Sequence, residues 1–528
     1  MTNICHKDGG SKFLCRLHSI INPGVCNMKD EVSGCAVPGV DENGTVALWN
    51  SSEVMSSVPL TKDGVLDSCR LIDATTNSLV KCNLWVYDDT YYQSSRAIEW
   101  NLVCDKRWMG AVAQASYMFG VFTGAVVLGS MADKYGRKII LYVSAVLQLA
   151  LGVGVAFVSE YYSFLVIRFL YGIFGSAGAY ITGFVLSMEI VGPSKRTIVG
   201  VAFQAFFAAG VMLVAFWGFL IKDRFVLQIV YGLHSLLLIG HWWLVDESPR
   251  WLWAQGQARR SVSIVEKAMK QNGCTEKLDV AYFVSQGEGK IIVSNASGAG
   301  LLDLVKTPNL RSRTFNVVLN WFANSLVYYG LSLNTGKLFG NPYLVLFIAA
   351  LVEYPSYIMI VLLMDRLGRR SLLSTLMLLG GFSCIIAAYI PQGTQTGNMS
   401  VTTIVMIGKF FIAGSFAIIY NYTAELFPTV VRNTALGAGS MGARLSGALT
   451  PLITLLDSFD KRLPSVIFGV IAVISGLLAL VLPETLNRPM PQTLEDGEKF
   501  GQGDTAFNVC CMKRSMGHTY DVALSSRD

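Results

Sequence analysis

Apolar residues fall in blocks of about twenty along this chain, each long enough to cross the roughly 30 Å hydrocarbon core of a bilayer as a helix. The blocks lie at 108–131, 139–158, 162–191, 197–221, 225–245, 314–333, 343–364, 371–391, 401–424, 435–456 and 464–482. The pattern predicts an all-α polytopic membrane protein of about eleven spans. The expected organisation is a segment 1–108 before the first span, a bundle over 109–246, a polar connection 247–313, a second bundle over 314–486 and a tail 487–528.

Composition agrees with that division. Of 528 residues, 52% are apolar and 15% charged, against roughly 25% charged in an average soluble domain, which argues against a soluble enzyme. Lys and Arg concentrate in the set of loops that includes Asp133–Lys138, so that side is expected to be cytoplasmic and the C-terminal tail with it. The net charge of +6 then reflects membrane topology, and no nucleic-acid partner is expected. Residues 1–108 fall outside the cell in this scheme, which fits a multi-pass protein of the plasma membrane. They carry Cys5, Cys15, Cys26, Cys35, Cys69, Cys82 and Cys104 and the glycosylation acceptors Asn43 and Asn50. Such a segment suits an oxidising compartment and disulfide staples, with at least one cysteine left over. Asn398 stands in a third acceptor motif. No metal or cofactor is expected, because the segment holds only His6 and His18 and no CxxC pair. No apolar signal-peptide run lies near Met1, so export is expected to use the first span as a reversed anchor.

The membrane part repeats itself. Asp133-Lys134-Tyr135-Gly136-Arg137-Lys138 is echoed by Asp365-Arg366-Leu367-Gly368-Arg369-Arg370, and the Glu189/Arg196 spacing by Glu425/Arg432. Asp246-Glu247-Ser248-Pro249-Arg250 has a shorter echo in Pro483-Glu484-Thr485. Three motifs recurring in one order describe two parallel halves around a central path, the plan of a secondary transporter.

The paired loop, led by Gly129-Ser130, resembles the signature loop of the major facilitator superfamily. Longer stretches resemble the organic cation, anion and carnitine (zwitterion) transporters within it, of the invertebrate organic cation transporter kind. They are Glu99-Trp100-Asn101-Leu102-Val103-Cys104, Glu247-Ser248-Pro249-Arg250-Trp251-Leu252, Thr307-Pro308-Asn309-Leu310-Arg311 and Ala424-Glu425-Leu426-Phe427-Pro428-Thr429-Val430-Val431-Arg432-Asn433. The resemblance implies two pseudo-symmetric helical bundles and polyspecific transport of small organic ions by alternating access. Family members have twelve spans, so the eleven here number as spans 2–6 and 7–12, with the first expected to be missing. The alternatives are a sugar or other small-solute facilitator of the same superfamily, or an inactive truncated form.

Candidate chemistry lies in charges placed inside spans, each costing roughly 2.5–3.5 kcal/mol at mid-bilayer. Arg168, Glu189, Glu353, Lys409, Glu425 and Arg444 are of this kind. Glu189 and Glu425 are expected to anchor charge networks with the loops, and Arg168 and Lys409 to serve as gate or packing charges. Arg444, on a helix of small residues, either offers forked donors to a ligand carboxylate or pairs internally with Glu353. The resemblance implies Arg at this position in anion and carnitine transporters and often Asp in cation-selective members, but Arg also in some insect-type cation transporters, so the position tilts the substrate charge without settling it. Trp321 and Tyr328 are seven residues apart and share a helix face; with Glu353, Arg444, Tyr180 and Tyr420 they form the expected substrate site. The expected gate is Asp133, Gly136, Arg137, Glu189 and Arg196 in one half and Asp365, Arg369, Glu425 and Arg432 in the other. No GxxxxGK[ST] loop or HExxH cluster is present, which argues against a transport ATPase or a metalloenzyme. The partners expected are a small organic ion and the lipid bilayer.

Overall fold

The structure, a computed structural model, describes residues 34–35, 69–72, 77–81, 85–86, 91, 93–192, 196–273, 303–391, 394–428, 431–486, 488, 490–491 and 493–501. Two short antiparallel ladders come first, Gly34–Cys35 with Trp85–Val86 and Arg70–Ile72 with Leu79–Lys81. Helix α1 (Arg96–Trp100) follows, and Cys69 is disulfide-bonded to Cys104. Asn43, Asn50, Cys5, Cys15, Cys26 and Cys82 lie outside the described residues, as does the side chain of Cys35.

The first half contains α2 (Arg107–Tyr135), α3 (Arg137–Gly154), α4 (Tyr161–Ile190), α5 (Arg196–Leu220) and α6 (Arg224–Leu244). Short helices α7 (Pro249–Ala254), α8 (Ala258–Gln271) and α9 (Asp303–Lys306) lead to the second half. That half contains α10 (Pro308–Asn334), α11 (Pro342–Leu367), α12 (Arg369–Tyr389), α13 (Gln395–Leu426), α14 (Arg432–Thr454) and α15 (Leu463–Ala479), with α16 (Leu494–Lys499) after it. A helix thus stands at each of the eleven expected positions, and eight of them are long and apolar enough to cross a membrane. Of the other three, α15 is apolar but shorter, while α10 and α14 carry polar and small residues that serve close packing within the second half and, for α14, against α2 of the first.

The polar content of α10 is paired internally. Asn324 Nδ2 donates to the Asn320 carbonyl, Asn320 Nδ2 to Asn316 Oδ1, and Ser475 Oγ to Asn320 Oδ1. In a bilayer, where no water satisfies such groups, this ladder makes a polar helix tolerable. Large apolar side chains face outward, among them Phe206, Leu237, Trp243, Leu244 and Phe315, each about three-quarters exposed or more. A soluble monomer rarely presents so much apolar surface; lipid covers it here. Asn398 corrects an expectation: it is 5% exposed inside the first turns of α13, so its amide is not presented for glycosylation.

The halves meet along two antiparallel seams, α2 against α14 and α5 against α11. At the end remote from the repeated loops, Arg107 and Asp457 form an ion pair at 2.9 Å across the first seam. At the same end Tyr343 of α11 packs onto Gly218 of α5, and its hydroxyl donates to the Tyr91 carbonyl. Arg107 is 38% exposed, so screening limits the pair to about 1 kcal/mol. Asp457→Arg is therefore expected to cut uptake several-fold by loosening this end, and the swapped double variant R107D/D457R to recover most of it. A double variant no better than the single would show that the pair does not tie the seam.

Candidate functional site

Both repeated loops are built on one plan. Gly136 and Gly368 have φ of +106° and +86°, turning one helix sharply into the next. The following helix begins without a side-chain cap of its own, leaving orphan N–H groups. A distant carboxylate fills that need in each half. Glu247 accepts from the backbone N–H of Arg137 (3.2 Å) and Lys138 (3.1 Å). Glu484 accepts from Arg369 (2.9 Å) and Arg370 (3.1 Å). The two carboxylates are 8% and 2% exposed, and each sits at a helix N-terminus where the dipole favours negative charge.

Arginine side chains then tie each loop to the next helix pair. Arg137 donates to Asp133 (2.8 Å) and Glu189 (3.2 Å), and Arg369 to Asp365 (2.9 Å) and Glu425 (3.1 Å). Asp133 and Asp365 are about three-quarters exposed, whereas Glu189 and Glu425 are near one-fifth, so the Arg–Glu contacts carry most of the energy. The halves differ in detail: Trp251 Nε1 donates to the Asp133 carbonyl in the first, and Thr485 Oγ1 to Glu425 in the second. Arg432, the first residue of α14, stands beside Glu425. Arg196 opens α5, but its side chain lies outside the described residues.

The second half has an additional cover. Glu498 of α16 accepts from the N–H groups of Asn309 (3.0 Å) and Leu310 (3.1 Å) at the start of α10, and Arg313 donates to the Gly497 and Phe500 carbonyls. Gly497 lies directly on Pro428, leaving no room for a Cβ. Burial opposes the Glu498 charge, but the neighbouring Thr307 side chain, the hydrogen bonds from the Asn309 and Leu310 N–H groups and the Arg313 charge outweigh it, holding the carboxyl below its usual range. A depressed folded pKa means that the docking is complete above the ordinary carboxylate range and is lost as pH falls through the lowered value. Hydrogen exchange over 494–500 should accordingly quicken in acid, and Glu498→Gln should show the quick rate already at neutral pH. Equal rates in both proteins at neutral pH would mean that Glu498 does not hold α16.

Aromatic residues from both halves converge between the bundles. The first half contributes Tyr180, at the end of a π-helical stretch of α4 (Gly172–Ile181), an unusual helix type concentrated at functional sites. Its ring is 5.1 Å from Phe203, and Phe184 is 6.2 Å from Tyr420 across the seam. On the other side Trp321 lies 4.3 Å from Tyr420, and Phe416 contacts Trp321 at 6.0 Å and Tyr328 at 5.9 Å. Trp321 is fully buried, with its indole N–H donated to Thr423 Oγ1 at 3.0 Å. It forms the second half's core wall rather than an open cavity surface.

The charge pairing decides between the alternatives left open for Arg444. Glu353 does not pair with Arg444. It pairs with Lys409 at 3.2 Å and accepts the hydroxyls of Tyr328 (2.9 Å) and Tyr357 (2.8 Å). Lys409, expected as a gate or packing charge, is a buried packing charge of this cluster. Arg444 has no ion pair among the described residues, and its buried Nε finds no acceptor. Tyr180, Tyr329 and Tyr420 lie within electrostatic range of its guanidinium. Arg168 donates to the neutral Gln114 (2.7 Å) and lies over the Tyr117 ring. Sequence reasoning missed Phe416, the Lys409 pairing and the capping roles of Glu247 and Glu484. The recurrence of Glu in the third repeated motif was the available signal for the last two.

The sequence matches the family described as Sugar (and other) transporter over residues 73–495. It is 38% identical over 509 residues to the organic cation transporter protein of Drosophila melanogaster, spanning 93% of this chain and 90% of that protein. It is also 33% identical over 414 residues to the human organic cation/carnitine transporter 2, spanning 78% and 73%. Among solved structures, the major facilitator superfamily proton:xylose symporter XylE bound to 6-bromo-6-deoxy-D-glucose superposes with a TM-score of 0.57 at 19% identity, over 75% of this chain and 90% of that one. At that identity the likeness concerns the fold.

Proposed function

This chain belongs to the Sugar (and other) transporter family of the major facilitator superfamily and to its organic cation transporter group, and from that premise we propose that it carries small organic ions across a membrane by alternating access. Transport, with no chemical step, is what the residues favour. The observation that carries the reading is Arg444, a guanidinium without an ion pair among the described residues, held among tyrosines from both halves. With Glu353 already neutralised by Lys409, the region has an excess positive charge. That favours ligands bearing a carboxylate, anions or zwitterions of the carnitine type, with the aromatic faces holding their organic part.

The loop networks are the proposed gate. Asp133, Gly136, Arg137, Glu189 and Arg196, with Asp365, Arg369, Glu425 and Arg432, would brace the face that bears the repeated loops and yield as the halves rock. The Lys/Arg distribution supports a cytoplasmic assignment for that face and an extracellular, glycosylated segment 1–108 in the plasma membrane. A tag after Asp528 is then expected to stay hidden in intact cells.

A radiotracer uptake panel tests the function. Cells expressing the protein should accumulate carnitine or a dicarboxylate above a quaternary ammonium that lacks a carboxylate, with glucose at background. Glucose uptake alone would replace the proposal with sugar transport.

A further inference from the structure

The buried ion pair of the second half has the geometry of a cation site that is already filled. Lys409 Nζ lies 3.3 Å from the centroid of the Tyr328 ring and 3.2 Å from Glu353 Oε1, with Ser332 Oγ as a further contact. An aromatic face and a carboxylate at such distances are the two elements that hold an organic ammonium. Both elements are fixed in place: Glu353 receives the Tyr328 and Tyr357 hydroxyls on separate oxygens, and Tyr328 packs on Phe416. The ammonium itself is tethered only through a flexible four-carbon stem, which can withdraw where a planar guanidinium fork would bind more rigidly. Glu353 and Lys409 are 1% and 4% exposed. Neither charge can be left alone there without a large penalty: an incoming ammonium keeps Glu353 paired, but it leaves the displaced Lys409 charge without its carboxylate, and that cost biases the cage against free cations. Tyr329, next to Tyr328, lies within range of both Tyr328 and Arg444, so the cage adjoins the proposed carboxylate contact.

We propose that Lys409 is a built-in occupant of a cation cage formed by Glu353 and Tyr328, and that by competing with free organic cations it sets the charge preference of the transporter. While Lys409 fills the cage, Glu353 is spent and Arg444 dominates, so carboxylate-bearing ligands are preferred. A ligand ammonium enters only by displacing Lys409. The inference rests on the transport reading for its consequence, but the cage itself is tested by binding.

Lys409→Ala vacates the space of the alkylammonium chain and leaves Glu353 and Tyr328 in place. Purified wild-type and K409A proteins are titrated with tetramethylammonium, following thermal stability. Half-maximal stabilisation is expected at a concentration at least tenfold lower in K409A, and E353Q/K409A should lose that gain. A folded K409A protein with an affinity within twofold of wild type would overturn the proposal. K409A also leaves a buried carboxylate unpaired and risks poor accumulation. In that event, tetramethylammonium in the growth medium should restore surface protein. Failure to restore it, with E353Q/K409A accumulating normally, would overturn the proposal equally. Absence of uptake of any organic ion by the wild type would sink the transport reading alone, leaving the titration to decide the cage.

Discussion

Gly368→Ala is expected to prevent accumulation of folded protein at the cell surface, and Gly136→Ala to act in the same way on the first half. Gly368 has φ +86° and ψ 161°, and Gly136 has φ +106° and ψ 148°, a region that residues with a Cβ occupy only at about 1–3 kcal/mol of strain. Space compounds the strain. A Cβ on Gly368 would lie 2.6 Å from Glu484 Oε2, and one on Gly136 2.5 Å from Glu247 Oε2. Those carboxylates must then move away from the N–H pairs they cap, and each buried donor left unsatisfied costs about 1–3 kcal/mol. Several kcal/mol is a large part of a typical total stability of about 5–15 kcal/mol. Glu484→Ala should reproduce most of the defect, because it orphans the same donors without straining the backbone. Gly129→Ala supplies the control: it lies on α2 just before the loop, and a Cβ there meets nothing within 4 Å. Size-exclusion profiles and surface labelling of the four variants are the measurement. Normal, monodisperse G368A protein would show that neither the turn nor the carboxylate beneath it is needed.

That prediction draws on contacts the sequence displays only in part. The loops themselves were legible because Gly and Arg recur at one spacing, and turn chemistry is local. The spans were legible because the bilayer demands length and apolarity of each helix independently of its neighbours. Glu247 and Glu484 were visible as recurring residues but not as caps, since each contact closes only when the chain returns to its half's loop from the far side of the bundle. Charge pairing was less legible still. Three carboxylates and three cations within spans permit several matchings of equal sign balance, and helix rotation decides among them. Lys409 and Glu353 meet because α13 and α11 pack with those faces together, which removes the Arg444–Glu353 alternative. The π-helical stretch of α4, which positions Tyr180, has no signal in residue type that separates it from an α-helix.

The freedom of Arg444 that results makes a selective prediction. Arg444→Ala should weaken ligands bearing a carboxylate by tenfold or more, the consequence of losing the ~1.5–3 kcal/mol of a hydrogen bond to a charged group. Permanent cations should change little, since they have no oxygen to offer the guanidinium. The structure also separates this effect from misfolding. Arg444 has no ion pair among the described residues, so truncation strands no buried acid, and surface expression should remain near normal. Glu353→Ala provides the contrast: it strands the buried Lys409 and should depress surface protein for every substrate alike, as loss of one member of a buried pair does. Arg444→Lys should recover only part of the loss, because an ammonium keeps the charge but not the two parallel donors that fit a carboxylate. Competition curves for carnitine, a dicarboxylate and a quaternary ammonium against one tracer, normalised to surface-labelled protein, read all of these together. An equal loss for the three ligands in Arg444→Ala would remove the guanidinium from the ligand and assign it to the packing of the α2/α14 seam instead.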